Sequence, residues 1–130
     1  MSRSNIVLWA KGALEKQQPM KVVNDQFRTP TLAEDLAMGC FLAESKFARG
    51  VFNISGKDFM GIDDLVYRVA DFFGYDKSCV ATTSSDVLNQ AAKRPPITGF
   101  IIDKAREELG YEPHSFEEGL TVLKSQLPKI

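Results

Sequence analysis

A chain of 130 residues with 44% hydrophobic content suits one domain with a single packed core. Charged residues make up 25%, yet the formal net charge is only -1, which argues against a general nucleic-acid binder with its basic surplus. No apolar run approaches membrane-spanning length, and Lys11, Glu15 and Lys16 interrupt the N-terminal apolar stretch where a signal peptide would need continuity, so a cytoplasmic protein is expected.

In chain order, residues 5–17 predict a helix. Ile6, Trp9, Ala10, Ala13 and Leu14 recur at helical spacing, and Pro19 closes it. Met20–Val23 is a short strand candidate. Residues 32–48 predict the best-signalled helix, with Thr31 as N-cap and Glu34 completing a capping box. Its expected core face is Leu32, Leu36, Cys40, Ala43 and Phe47, and Arg49 with Gly50 supplies a cation and a left-handed stop. Residues 50–55, "GVFNIS", read as a strand. Ile62–Phe73 reads as a helix with Gly61 as N-cap, a Met60 and Leu65 staple, acidic Asp63 and Asp64 in the first turn, and Gly74 as the stop.

A short strand at 78–82 and a short helix at 85–92, ended by "KRPP", come next. Residues 100–102 form another strand candidate. Asp103 caps a helix that ends at Gly110. Ser115 and Glu118 form a second capping box, and Phe116, Leu120, Leu123 and Leu127 give the last helix its core face. The expected architecture is α/β and helix-rich, with few short strands, some of which need partners from elsewhere.

Chemistry-bearing patterns are sparse. The glycines never fall into G-x-G-x-x-G or a Walker pattern. Cys40 and Cys79 are too far apart for a Cys-x-x-Cys site and are expected to be reduced, at least one of them buried. The single histidine, His114, reads as a turn or surface residue. Tyr67, Tyr75 and Tyr111 are followed four residues later by Asp71, Cys79 and Ser115, so no Tyr-x-x-x-Lys pair is present. Two arginines remain. Arg28 lies on the loop that feeds a helix start, where a phosphate would gain guanidinium charge and free helix amides. Arg94 precedes two prolines that fix the backbone around it. By local chemistry alone each is either a ligand-binding cation or a solvated surface charge.

The order of motifs says more. "VVNDQFRTPTLAEDLA", "GVFNISG", "KRPPITGFIIDKAREELGYEP" and "SFEEGL" follow one another as in the C-terminal part of extended short-chain dehydrogenases/reductases. The chain resembles the dTDP-4-dehydrorhamnose reductase-like sugar-nucleotide reductases of that superfamily. The resemblance runs from about Ile6 to Leu123 and implies the helix-rich substrate-binding portion of a longer reductase or epimerase, 1–130 as one portion. The Rossmann half, with its cofactor loop and catalytic Tyr-x-x-x-Lys, would lie outside it. It further implies NAD or NADP in the parent enzyme, bound by that other half and not by this chain. The expected ligand is a nucleotide-diphosphate sugar, and faces built for the missing half would favour self-association into a homo-oligomer.

Residue by residue, the resemblance places Arg28 and Arg94 near the nucleotide's phosphates, with Gln26, Pro30 and Thr31 on the loop bordering the substrate. Pro30, Thr31 and Asp35 are expected to act chiefly as turn, cap and helix-start charge. The dehydrorhamnose reductases proper commonly carry glycine where Arg28 stands, so the arginine leans toward another nucleotide sugar. The alternative is a non-catalytic reductase-like regulatory or binding module.

Overall fold

Five α-helices and four short strands are present among residues 5–88 and 91–128, the residues described by the computed structural model. They group into two units, each made from two stretches of sequence. One comprises the described residues of Met1–Phe27 and Met60–Ile97, the other those of Arg28–Phe59 and Thr98–Ile130.

In the first unit, α1 (Ile6–Glu15) starts at Asn5, whose side chain accepts from the Leu8 amide at 2.9 Å. It buries Ala10, Ala13 and Leu14 and leaves Trp9 exposed. Its end is closed by Gln17, a non-glycine residue at φ 52°, through bonds from Gln17 N to Leu14 O and from Gln18 N to Ala13 O. β1 (Met20–Val23) then pairs in parallel with β4 (Val80–Thr83), Met20 opposite Val80 and Val23 opposite Thr83. A second pair joins β2 (Phe27–Arg28) to β3 (Met60–Gly61).

α3 (Ile62–Phe73) packs on α1 and β1. Leu65, Val66, Val69 and Ala70 form one apolar stripe, all 1% exposed or less, and Met60 is buried beside the helix start. Burying each larger side chain of such a stripe contributes about 1.5–3 kcal/mol. Gly74 ends α3 at φ 74°, where an L side chain is disfavoured. The expected helix at 85–92 does not form where it is described. Residues 85–87 are a turn, 88 and 91–92 are bends, and 89–90 lie outside the described residues. The Asp25 carboxylate accepts the Ser85 amide and, at 2.8 Å, its hydroxyl, which stabilises a turn in place of a helix start.

In the second unit, α2 (Ala33–Ser45) packs on α4 (Asp103–Leu109), and α5 (Phe116–Gln126) follows. The core is Ile102, Ala105, Leu109 and Tyr111, with Leu42, Ala43, Ala48, Phe52 and Ile54 against it. Several expectations are corrected here. Leu32, not Thr31, is the N-cap of α2, and it makes no side-chain cap bond, because the Thr31 hydroxyl is engaged elsewhere. The helix ends at Ser45, and Phe47 at φ 50°, not Gly50, is its left-handed stop, with Phe47 N bonded to Glu44 O and Ala48 N to Ala43 O. The buried positions of α2 are Asp35 and Gly39, whereas Leu36, Cys40 and Phe47 are exposed.

The physical reason for that last correction is close approach. A Cβ on Gly39 would stand 2.7 Å from Ile54 Cγ2, so the helix turns its glycine toward Ile54. Lastly, residues 51–54 and 100–102 are not strands. The Val51 carbonyl accepts from Lys104 Nζ at 2.9 Å, and Ile102 is the N-cap of α4, so Asp103 is that helix's first residue. Both cysteines are free thiols and neither is buried, Cys40 being exposed and Cys79 half-buried. No helix among the described residues is long and apolar enough to cross a membrane.

Candidate functional site

Gln26 and Arg94 belong to the first unit. Gln26 is buried, and its carbonyl accepts from Ile62 N at 3.0 Å, which ties the loop after β1 to the start of α3. The next residue, Phe27, donates its amide to Pro96 O at 2.7 Å and bridges in parallel to Ile97. The Asp-Gln loop and the Arg-Pro-Pro segment are thereby held side by side, although about seventy residues apart in sequence, a separation far beyond any local spacing rule. Arg94 is exposed on that segment. With Lys93, Ser85 and Asp86 it lines an open groove of about 500 Å³. The groove carries two cations against one carboxylate. Asp25 holds the groove's turn through Ser85, and the Ser85 amide and hydroxyl keep the Asp25 carboxyl below its ordinary range.

Arg28, Pro30 and Thr31 belong to the second unit. Arg28 and Pro30 are half-buried and Thr31 is exposed. The Thr31 hydroxyl donates to Thr29 O at 3.2 Å and accepts from Gly56 N at 3.1 Å. Gly56 lies so close to the loop that a Cβ there would stand 2.0 Å from Pro30 O. Behind it, Ser55 is buried and its carbonyl accepts from Tyr111 Oη at 2.8 Å. Burial pushes the Tyr111 phenol up to about 12, and the Asp35 charge adds to the effect.

Two further residues hold this unit's C-terminal turn. Asp35 is 4% exposed, and its carboxylate accepts from the His114 amide at 2.9 Å and pairs with His114 Nδ1 at 2.5 Å. The arrangement supplies Asp35 with partners for its buried charge and fixes the turn between α4 and α5. His114 reads as a turn residue in the sequence; its partner lies 79 positions away, which no spacing rule reaches.

Among the described residues, no group of three or more His, Cys, Asp or Glu could hold a metal ion. The strand-to-helix junction at Gly61 places Asp63 and Asp64 in the first turn of α3, where Asp64 pairs with Arg68 at 3.0 Å. What the site residues offer chemically is cation and amide recognition of an anion.

The sequence model of the RmlD substrate binding domain family matches residues 2–127. Among solved structures, the dTDP-4-dehydrorhamnose reductase of Bacillus anthracis in complex with NADP has a TM-score of 0.83 at 21% identity, covering 98% of this chain and 45% of that one. A dTDP-4-dehydrorhamnose reductase of Clostridium acetobutylicum also gives 0.83, at 22% identity, over 97% of this chain and 45% of that one. The UDP-glucuronic acid 4-epimerase of Bacillus cereus, solved with UDP-glucuronic acid and NAD, gives 0.73 at 21% identity, over 95% and 41%. The chain thus spans less than half the length of these structures, and the likeness at such identities is one of fold. No curated protein matches it. The family model covers nearly the whole chain, and the helix-rich α/β fold is that of the reductase structures: the chain belongs to the RmlD substrate-binding domain family.

Proposed function

We propose that this chain binds a nucleotide-diphosphate sugar as the substrate-binding portion of an NAD(P)-dependent sugar-nucleotide reductase or epimerase. Hydride transfer between the nicotinamide and a keto-sugar then takes place on polypeptide outside these residues, which also holds the cofactor. The observation that carries the reading is Arg28, a cation on a loop fixed by Gly56, within the ordered motifs of a substrate-binding family. The presence of UDP-glucuronic acid in a fold relative supports the ligand class.

In this reading Arg28 supplies a guanidinium for the diphosphate, whose charge it matches in a bidentate fork. Arg94 and Gln26 are assigned to ligand recognition on the first unit, and Pro30 to the loop that carries Arg28 on the second. Holding the nucleotide end orients the sugar carbonyl, which is a rate effect as well as a binding effect.

The test is a melting experiment with UDP and dTDP, because a ligand that binds only the folded chain raises the melting temperature. At a ligand concentration of about 100 Kd the expected stabilisation is about 2.7 kcal/mol. Arg28→Ala and Arg94→Ala should each shrink the shift. If neither variant changes it, the site assignment is wrong. Tight NADPH binding by the chain alone would refute the proposed division of labour.

A further inference from the structure

The resemblance puts Thr31 on the substrate-bordering loop, but its hydrogen bonds assign it a different part. A threonine hydroxyl has one hydrogen to donate. Here that hydrogen is directed to Thr29 O, at 3.2 Å, within its own loop. The hydroxyl oxygen meanwhile accepts the Gly56 amide at 3.1 Å. Thr31 therefore joins its own loop to a segment 25 residues away.

Gly56 completes the contact from the other side. A Cβ there would lie 2.0 Å from Pro30 O and 3.2 Å from Pro30 C, both backbone atoms, so any side chain would force the loop away. On the same loop, a Cβ on Gly99 would meet Thr29 Cγ2 at 3.2 Å. The contact is mounted on the core, because Ser55 is 1% exposed and receives the Tyr111 hydroxyl. Between Arg28 and Thr31 stand only Thr29 and Pro30. Proline fixes its own φ and restricts the residue before it, so a displacement at Thr31 is passed to Arg28 with little slack.

We infer that Thr31 and Gly56 are positioning residues, a latch that sets the main chain of Arg28 for a nucleoside diphosphate while neither touches the ligand. This rests on the reading of Arg28 given above. Calorimetric titration of the 130-residue chain with UDP and with dTDP tests it, using Arg28→Ala, Thr31→Val, Thr31→Ser and the Arg28→Ala/Thr31→Val pair. Thr31→Val keeps the side-chain shape and loses the acceptor, and affinity should fall about tenfold. Thr31→Ser restores the oxygen and should stay within about twofold of the parent chain.

In the Arg28→Ala background, Thr31→Val should add nothing, since its effect passes through Arg28. A Thr31→Ser loss as large as that of Thr31→Val would overturn the latch, and so would a Thr31→Val loss that adds in full to that of Arg28→Ala. An Arg28→Ala chain that binds like the parent, or a parent chain that binds neither nucleotide, would bring down the reading of Arg28 itself. A loss with Arg28→Ala but none with Thr31→Val would bring down only the latch.

Discussion

Replacing Tyr111 with phenylalanine should destabilise the chain at neutral pH and stabilise it in strong alkali. Tyr111 is 1% exposed, and its hydroxyl donates to the Ser55 carbonyl at 2.8 Å. Removing the hydroxyl deletes that bond and leaves a buried carbonyl short of a partner, a loss of about 1 kcal/mol at pH 7. The pH dependence runs the other way. Burial raises the phenol from its ordinary 10.0 to about 12 in the folded chain. The unfolded chain therefore ionises Tyr111 first, and the contribution of the neutral phenol, complete below pH 10, drains away as pH rises toward the folded value. A gap of that size corresponds to on the order of 2–3 kcal/mol in full, about half of it lost by roughly pH 11. Phenylalanine cannot ionise, so the two stability curves should cross near that pH. Tyr67 and Tyr75 are common to both chains and cancel in the difference. Urea unfolding followed by circular dichroism at neutral pH, mildly alkaline pH and about pH 11 reads the crossing. A difference between the chains that stays constant across that range would refute the assignment of Tyr111 as a buried, neutral donor.

Asp25→Asn should flatten the acid limb of the stability profile. The Asp25 carboxyl is held below its ordinary value by the Ser85 amide first and its hydroxyl second. Its contribution is present above the ordinary carboxylate range and disappears as pH falls through the lowered folded value. Acid unfolding of both chains side by side checks this, and parallel acid limbs would count against it. Ser115→Ala removes one half of the α5 capping box, Glu118 N to Ser115 Oγ at 3.1 Å, and leaves the other, the residue-115 amide to Glu118 Oε2 at 2.8 Å, in place. The expected loss is about 1 kcal/mol, readable as a lower urea midpoint. Asp58 still accepts the Phe116 amide at 2.7 Å, so α5 should keep its helical circular dichroism.

The elements legible in the sequence are those whose signals are local. The Ser115 and Glu118 box, Gly61 before α3 and Gly74 after it all act within four residues of a helix end, and each stands where spacing put it. α2 misleads because apolar residues surround it nearly all the way round, so periodicity could not choose a face. Gly39 and Ile54 chose it instead. Residues 51–54 have strand-like composition, but propensity alone gives no ladder partner.

The site divides in the same way. Arg28 and Arg94 were visible as cations and gained meaning only from the order of motifs around them. The part played by Thr31 was hidden, since Thr-x-x-Glu fits a capping box and the true partner, Gly56, lies 25 residues downstream. The tie between Phe27 and Pro96, which sets the Asp-Gln loop beside the Arg-Pro-Pro segment, has no sequence signature, because main-chain bonds carry no side-chain identity.

The interleaving of the two units has a consequence for the order in which this polypeptide can fold. As the chain leaves the ribosome, β1 emerges ahead of its partner β4, which follows only after the whole stretch from Arg28 to Phe59 has passed. That stretch in turn waits for Tyr111 and His114, which anchor Ser55 and Asp35. A nascent chain ending near Phe59 therefore holds half of each unit and the whole of neither. The closing contacts bridge long separations, so their loop entropy must be met before any reward arrives, a pattern that slows folding. Through that interval β1 lacks its ladder partner β4, the circumstance in which a chaperone matters most.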